Sequence, residues 1–299
     1  MVNAKLIKPE SVSKYINPLT DYGFKRIFRN ESYKDLLIDF LNELIREQGK
    51  IVDLSYLPPE QLGVREDDRK VVFDIYCKTS CGKHFIVEMQ KVQQTYFKDR
   101  SIYYSTFPIQ VQAIKGKWNY KLNAVFTISI VDFILFDEEE HYYHDIRLME
   151  ERTGKVFYDK LVFKYLELPK FTKSLEELET NFERWIYLLK TLPTFENRPP
   201  ELKGKIFDKL FRAAEVSQLT PTEMIKYNKS IEEYDDVRDA MEYARNKGKE
   251  IWLEKGIDKG EKKAKIEMAI NCLHFGLSIE ETSKLTGLPV EEVTKLKVP

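Results

Sequence analysis

Cysteine is scarce in this chain, with three in 299 residues, an odd number. A disulfide frame is therefore not expected, and a reducing, cytoplasmic setting is. Long apolar runs are also missing. The longest, LNAVFTISIVDFILF (122–136), is too short to span a bilayer and carries Asp132, so no membrane partner is expected. The opening MVNAKLIKPE has none of the apolar stretch of a signal peptide. Net charge is nearly absent at −1, so no global positive field announces nucleic acid. A local basic groove or a bound cation is not excluded by that count.

Several sequence signatures are missing too. There is no P-loop, no dinucleotide-binding glycine fingerprint and no Gly-x-Ser-x-Gly elbow, and no organic cofactor is expected. Cys77, Cys81 and His84 lie close in sequence and invite a zinc reading. Cys272 is remote, however, and neither a C-x2-C pair nor H-E-x-x-H occurs. Strand alternation puts Cys77 and His84 on opposite sides of a sheet, which favours packing roles.

What is present is a well-furnished core. The chain is 42% hydrophobic, with 17 Tyr and 18 Phe, a composition that excludes disorder. Thr20 is placed to cap a helix beginning at Asp21, and apolar residues recur at helical spacing from Phe24 to Leu44, with a split near 30–32. A short strand near 51–57 ends at Pro58-Pro59. Two strands, about 69–78 and 83–91, form a hairpin around Thr-Ser-Cys-Gly, with Gly82 free to take positive φ. A helix over 95–116, interrupted or kinked at Pro108, precedes a strand buried on both faces. Strands return across 140–169 about the turn ERTG. Helices follow at about 174–191, 200–216 and 230–250, then a solvated helix or loose connector with glycines at 256 and 260. The boundaries expected are 1–170, an α/β domain; 171–250, a helical region; and 251–299, a charged connector with a tail like a small helix-turn-helix.

The hairpin carries the chemistry. In VVFDIYCKTSCGKHFIVEMQ, pairing 79 with 83 sets Asp74 opposite Glu88, with Cβ atoms about 5 Å apart. Like charges so placed destabilise a sheet unless something compensates. A divalent cation with a taste for carboxylate oxygen would do so, as would protonation or a lysine such as Lys70, Lys78 or Lys83. Gln90 projects to the face of Glu88, and Met89 turns away.

Around these residues the chain resembles the PD-(D/E)XK nucleases, and within them the recombination-promoting nucleases, a PD-(D/E)XK nuclease transposase family. The resemblance rests on PLTDYGFKRIF (18–28), FDIYCKT (73–79), FIVEMQ (85–90), FKDRSIYYSTFPIQVQAIKG (97–116), the strand LNAVFTISIVDFILF and LELPKF (166–171). It implies a restriction-endonuclease-like α/β core, a mixed central sheet flanked by helices, with a helical C-terminal region. It implies a metal-dependent DNA endonuclease linked to recombination, mobile elements or defence, using Mg²⁺, or Mn²⁺ or Ca²⁺. Asp74 and Glu88 then become the metal-binding acids, and Gln90 stands where the superfamily usually has lysine. A glutamine orients water but cannot carry lysine's charge. The alternative is a catalytically weak or inactive nuclease fold that binds DNA or a protein.

Asp21 is either a third acid or a helix-start acid favoured by the dipole, and it shares a helical face with Lys25. Arg100 and Tyr104, one turn apart, either hold a DNA phosphate or form an amphipathic helix edge. Gln93 is a further candidate, whereas Lys91 is expected to face away. In the tail, Glu291 and Glu292 lead the second helix and would repel phosphate, which favours protein contact or oligomerisation. Residues 245–265 hold eight Lys/Arg against four acids, a solvated face or a phosphate-tracking segment. A homodimer would suit double-strand cleavage.

Overall fold

The computed structural model describes residues 13–61, 71–113, 116 and 119–296. Lys70, residue 69 and positions 114–115, which entered the readings above, lie outside the described residues. Two compact units, Met1–Tyr234 and Asp235–Pro299, divide the chain.

The first unit opens with helix α1 (Asp21–Phe28), whose Thr20 hydroxyl accepts from the Gly23 N–H at 3.0 Å. A 3-10 turn over Glu31–Tyr33 separates it from α2 (Lys34–Leu44), so the split near 30–32 is real. The cap is tight enough to need glycine. A methyl on Gly23 would lie 2.0 Å from the Asn17 carbonyl oxygen and 2.8 Å from Thr20 Oγ1. Gly23→Ala is expected to cost about 3 kcal/mol by overpacking. In a thermal melt that is a fall of roughly 6–12 °C.

The sheet has six strands in the order β1 (Leu54–Tyr56), β4 (Ile75–Thr79), β5 (His84–Gln90), β6 (Val125–Val131), β8 (Val156–Glu167), β7 (Tyr143–Met149). β5–β6 and β6–β8 are parallel and the remaining neighbours antiparallel, giving a mixed sheet. Every residue of β6 is buried, as its unbroken apolar run predicts for a strand covered on both faces. Separate from this sheet, β2 (Glu60–Gln61) and β3 (Val71–Val72) form a two-stranded ribbon.

Alternation sorts the strand residues onto two layers. Ile75, Cys77, Phe85, Val87, Phe126, Ile128 and Ile130 join one core with α1, α2, α4 (Asn181–Thr191) and α5 (Lys205–Ala214). Phe28, Phe40 and Trp185 meet in it with ring centroids 5.2–5.7 Å apart. Tyr76, Ile86 and Phe107 pack on the opposite side, beneath α3 (Phe97–Gln110). Ser101 and Ser105 of α3 are buried, as are Thr127 and Ser129 of β6. Small side chains on both elements suit close packing of helix on sheet. Pro108 lies inside α3 and does not end it.

Helix α6 (Pro221–His274) is continuous through Gly256 and Gly260, so the expected connector is helical. In the second unit, Ala269 of this helix packs with Leu288 and Val293 around α7 (Ile279–Thr286) and α8 (Val290–Thr294). Ser278 and Glu281 form the expected capping box on α7. Among the described residues, no helix is long and apolar enough to cross a membrane.

Candidate active site

The hairpin register is the one that Gly82 dictates. Gly82 takes φ +87°, the Thr79 N–H donates to the Lys83 carbonyl, and Lys78 pairs with His84 and Ile75 with Val87. Continued by one pair, this sets Asp74 opposite Glu88. The predicted strand over 69–78 breaks there. The Phe73 N–H donates to the Pro59 carbonyl, Asp74 lies in a bend, and β4 starts only at Ile75. Side chains then take over from the main-chain ladder. The Asp74 N–H donates to Glu88 Oε1 at 3.1 Å, and the Met89 N–H donates to Asp74 Oδ2 at 2.9 Å.

Each carboxylate therefore spends one oxygen holding the other's strand. Glu88 is 7% exposed and Asp74 is half-buried. Burial raises the Asp74 carboxyl above its ordinary value, and nearby Asp21 adds to the rise. Burial, then the Asp74 charge, push Glu88 up to about 8. The pair is short of positive charge in spite of its neighbours.

Those neighbours differ from the lysines expected to compensate. Lys78 is exposed, and the Lys83 ammonium donates to the Gln48 carbonyl. Among the described residues, Arg100 of α3 is the cation bonded to the site, donating to Glu88 Oε2 and to Gln90 Oε1, both at 3.4 Å. Its stronger bond, 2.8 Å, goes to Gln94 Oε1. Gln94 escaped the sequence reading, which chose the adjacent, exposed Gln93, because these residues precede the helix and follow no periodicity. Tyr104 lies with its ring centroid 4.8 Å from the guanidinium and meets Phe73 edge-on. Tyr104 thus packs against both Arg100 and Phe73.

Asp21 and Lys25 form an ion pair at 2.6 Å. Lys25 lowers both Asp74 and Glu88 electrostatically, while Asp21 is a third negative charge acting on Asp74. Lys91 is closer to this field than strand alternation suggests. Its ammonium stacks 5.0 Å from the Tyr234 ring centroid and is lowered by burial, while Asp21, Glu233 and Asp74 act to raise it.

Gln90 has a local logic of its own. Its Oε1 accepts from Arg100 and its Nε2 donates to the Val92 carbonyl at 3.1 Å. Lysine has no acceptor to offer a guanidinium. Lysine at position 90 and Arg100 in this pose are alternative ways of bringing one positive charge to the acids.

A family model described as PD-(D/E)XK nuclease family transposase matches residues 18–244. The chain belongs to that family. The match takes in α1, the hairpin with Asp74 and Glu88, α3 and the whole six-stranded sheet. No match was found to a curated protein or to a solved structure.

For this PD-(D/E)XK family member, the donor set decides what could bind. Two facing carboxylates with raised affinity for protons suit a hard divalent cation that keeps several waters, rather than a closed protein cage. Among the described residues, no cluster of three or more His, Cys, Asp or Glu side chains forms. Cys77, Cys81 and His84 do not converge on one point. Cys77 is buried in the core below the sheet, Cys81 is exposed, and His84 shares a 2.8 Å hydrogen bond with the Tyr76 hydroxyl on the α3 side. A cavity of about 430 Å³ lies elsewhere, lined by Arg46, Tyr143, Asp145, Arg147 and Lys164 among others, and none of the candidate residues borders it.

Proposed function

We propose that this chain is a divalent-metal-dependent DNA endonuclease in which Asp74 and Glu88 hold the cation. The observation that carries the reading is a buried Glu88 and a half-buried Asp74, each tied to the other's backbone across adjacent strands. The hardness of the donors favours Mg²⁺, with Mn²⁺ and Ca²⁺ as the alternatives. A cation bound there supplies activation of water and neutralises charge on a phosphodiester.

The protein's own residues prepare for that chemistry. A protonated Glu88 gives up its proton when a cation takes its carboxylate, so metal uptake releases protons. Arg100 bonds weakly to Glu88 and Gln90, and an arriving phosphate is a better partner for its guanidinium. Tyr104 keeps the guanidinium plane in place during that exchange. Gln90, freed from Arg100, offers a neutral donor and acceptor to a water or a phosphate oxygen. Lys25 and Lys91 add positive field behind the acids.

The odd number of cysteines supports a cytoplasmic setting. A nuclease core in a transposase family supports a role in recombination, mobile-element movement or defence. Two such sites in a homodimer would cut both strands.

Purified protein incubated with supercoiled plasmid is expected to nick it in Mg²⁺ or Mn²⁺ and to leave it intact in EDTA. Calorimetry should show the cation binding with proton release. Metal binding without cutting would leave a DNA-binding or protein-binding nuclease fold in place of an enzyme. Neither binding nor cutting would overturn the site.

A further inference from the structure

Charge is sorted by side on the exposed stretch of α6. At about 100° per residue, Arg245, Lys249, Lys255, Lys259 and Lys263 fall within a sector of roughly 120°. On the same scale, Glu250, Glu254, Asp258 and Glu261 occupy roughly 80° on the opposite side. Lys247 and Lys265 are the exceptions, and Lys247 is paired with Glu250 at 3.4 Å. Lys262 lies at the margin, tied to Glu292 of α8 at 3.2 Å.

Trp252 falls in the middle of the basic sector and is 81% exposed. Gly248 and Gly256 flank it on the same side, one turn before and one turn after, and a Cβ on either would meet nothing within 4 Å. All five cations are exposed. Lys263 makes a loose 3.9 Å pair with Glu267, and the other four form no ion pair with any described residue.

We propose that this face of α6 is a second nucleic-acid contact, which grips the phosphate backbone without regard to sequence and packs Trp252 against a sugar or an unstacked base. The proposal rests on DNA being the substrate of the carboxylate site. Charge complementarity selects the occupant. The cations are strung along about 27 Å of helix axis, while a duplex presents one phosphate every ~3.4 Å per strand. A lipid surface fits less well. Interfacial helices need an apolar face across from the basic one, and here that side carries Glu250, Glu254, Asp258 and Glu261. One aromatic among backbone-tracking cations is the pattern of nucleic-acid stacking platforms.

The test uses the full-length protein in EDTA, so that binding is read without cleavage. Labelled duplex and single-stranded DNA of about 24 nucleotides are titrated over a range of salt. Substituting Gln at Arg245, Lys249, Lys255, Lys259 and Lys263 together is expected to flatten the log K against log salt slope by about 4.5 on duplex, at roughly 0.9 per lost phosphate contact, and by about 3.5 on single strands, at roughly 0.7. Glu250→Gln with Glu254→Gln should leave the slope unchanged, and circular dichroism confirms that the helix persists in both. Trp252→Phe should remove the fluorescence change seen on DNA binding. A preference for either DNA form agrees with the proposal. An unchanged slope in the five-site variant overturns it, as does binding to anionic phospholipid vesicles without binding to DNA. Metal-dependent cutting that survives an unchanged slope would keep the carboxylate site and discard this one. The reverse result would do the opposite.

Discussion

Plasmid cleavage by Asp74→Asn or Glu88→Gln protein is expected to fall by at least about a thousandfold in Mg²⁺, to the metal-free background. The size follows from the several kcal/mol of charge stabilisation that a catalytic cation provides, at about 1.4 kcal/mol per tenfold in rate. The amide substitutions are chosen because they keep the architecture. Asparagine at 74 still offers an oxygen to the Met89 N–H, and glutamine at 88 still offers one to the Asp74 N–H. Loss of cutting with an intact fold then reports loss of charge. Undiminished cutting by both variants would remove these residues from the chemistry.

Glu88→Gln is also expected to make the metal-free protein more stable at pH 8. Burial and the Asp74 charge push the Glu88 carboxyl from 4.5 up to about 8 in the folded state. Between those pH values the folded protein keeps a proton that the unfolded chain releases. The associated stability is complete below about pH 4.5 and is lost as the pH rises through about 8. Each unit of difference is worth about 1.4 kcal/mol, so the rise from 4.5 to about 8 corresponds to a loss of roughly 5 kcal/mol over that range in EDTA. Asp74, raised in the same direction, adds to the slope. Glutamine at 88 cannot ionise and should flatten the profile, with a melting temperature several degrees above wild type at pH 8. Mg²⁺ should restore the wild type and leave the variant unmoved. A wild-type stability that rises with pH across this window would contradict the account.

The parts legible in the sequence were those decided by neighbouring residues. Thr20 and Asp21 define a helix start within one turn, Gly82 defines a hairpin loop, and β6 announces its burial by having no charged residue. From Gly82 alone the opposition of Asp74 and Glu88 follows by counting. The break before Ile75 does not follow, because the groups that receive the Asp74 and Met89 amides are carboxylates, and strand periodicity knows only main-chain partners. Arg100 was visible as a charge one turn from Tyr104. Its bonds to Glu88 and Gln90 depend on how closely α3 approaches the sheet, which serines and threonines on two distant segments permit. The length of α6 was hidden for another reason. Its glycines left a solvated helix and a loose connector equally open, and an exposed helix with charged pairs such as Lys247 with Glu250 tolerates them.

The crossed bonds at the open end of the hairpin make the two acids a clasp as well as a charge pair. Any group that draws on Asp74 Oδ2 or Glu88 Oε1 competes with an amide of the opposite strand. Chain length is therefore constrained at both positions, since exchanging aspartate and glutamate would move each oxygen by a methylene and leave a buried amide without its acceptor. The exchange rates of the Asp74 and Met89 amide hydrogens thus register, one atom away, what the carboxylates are doing.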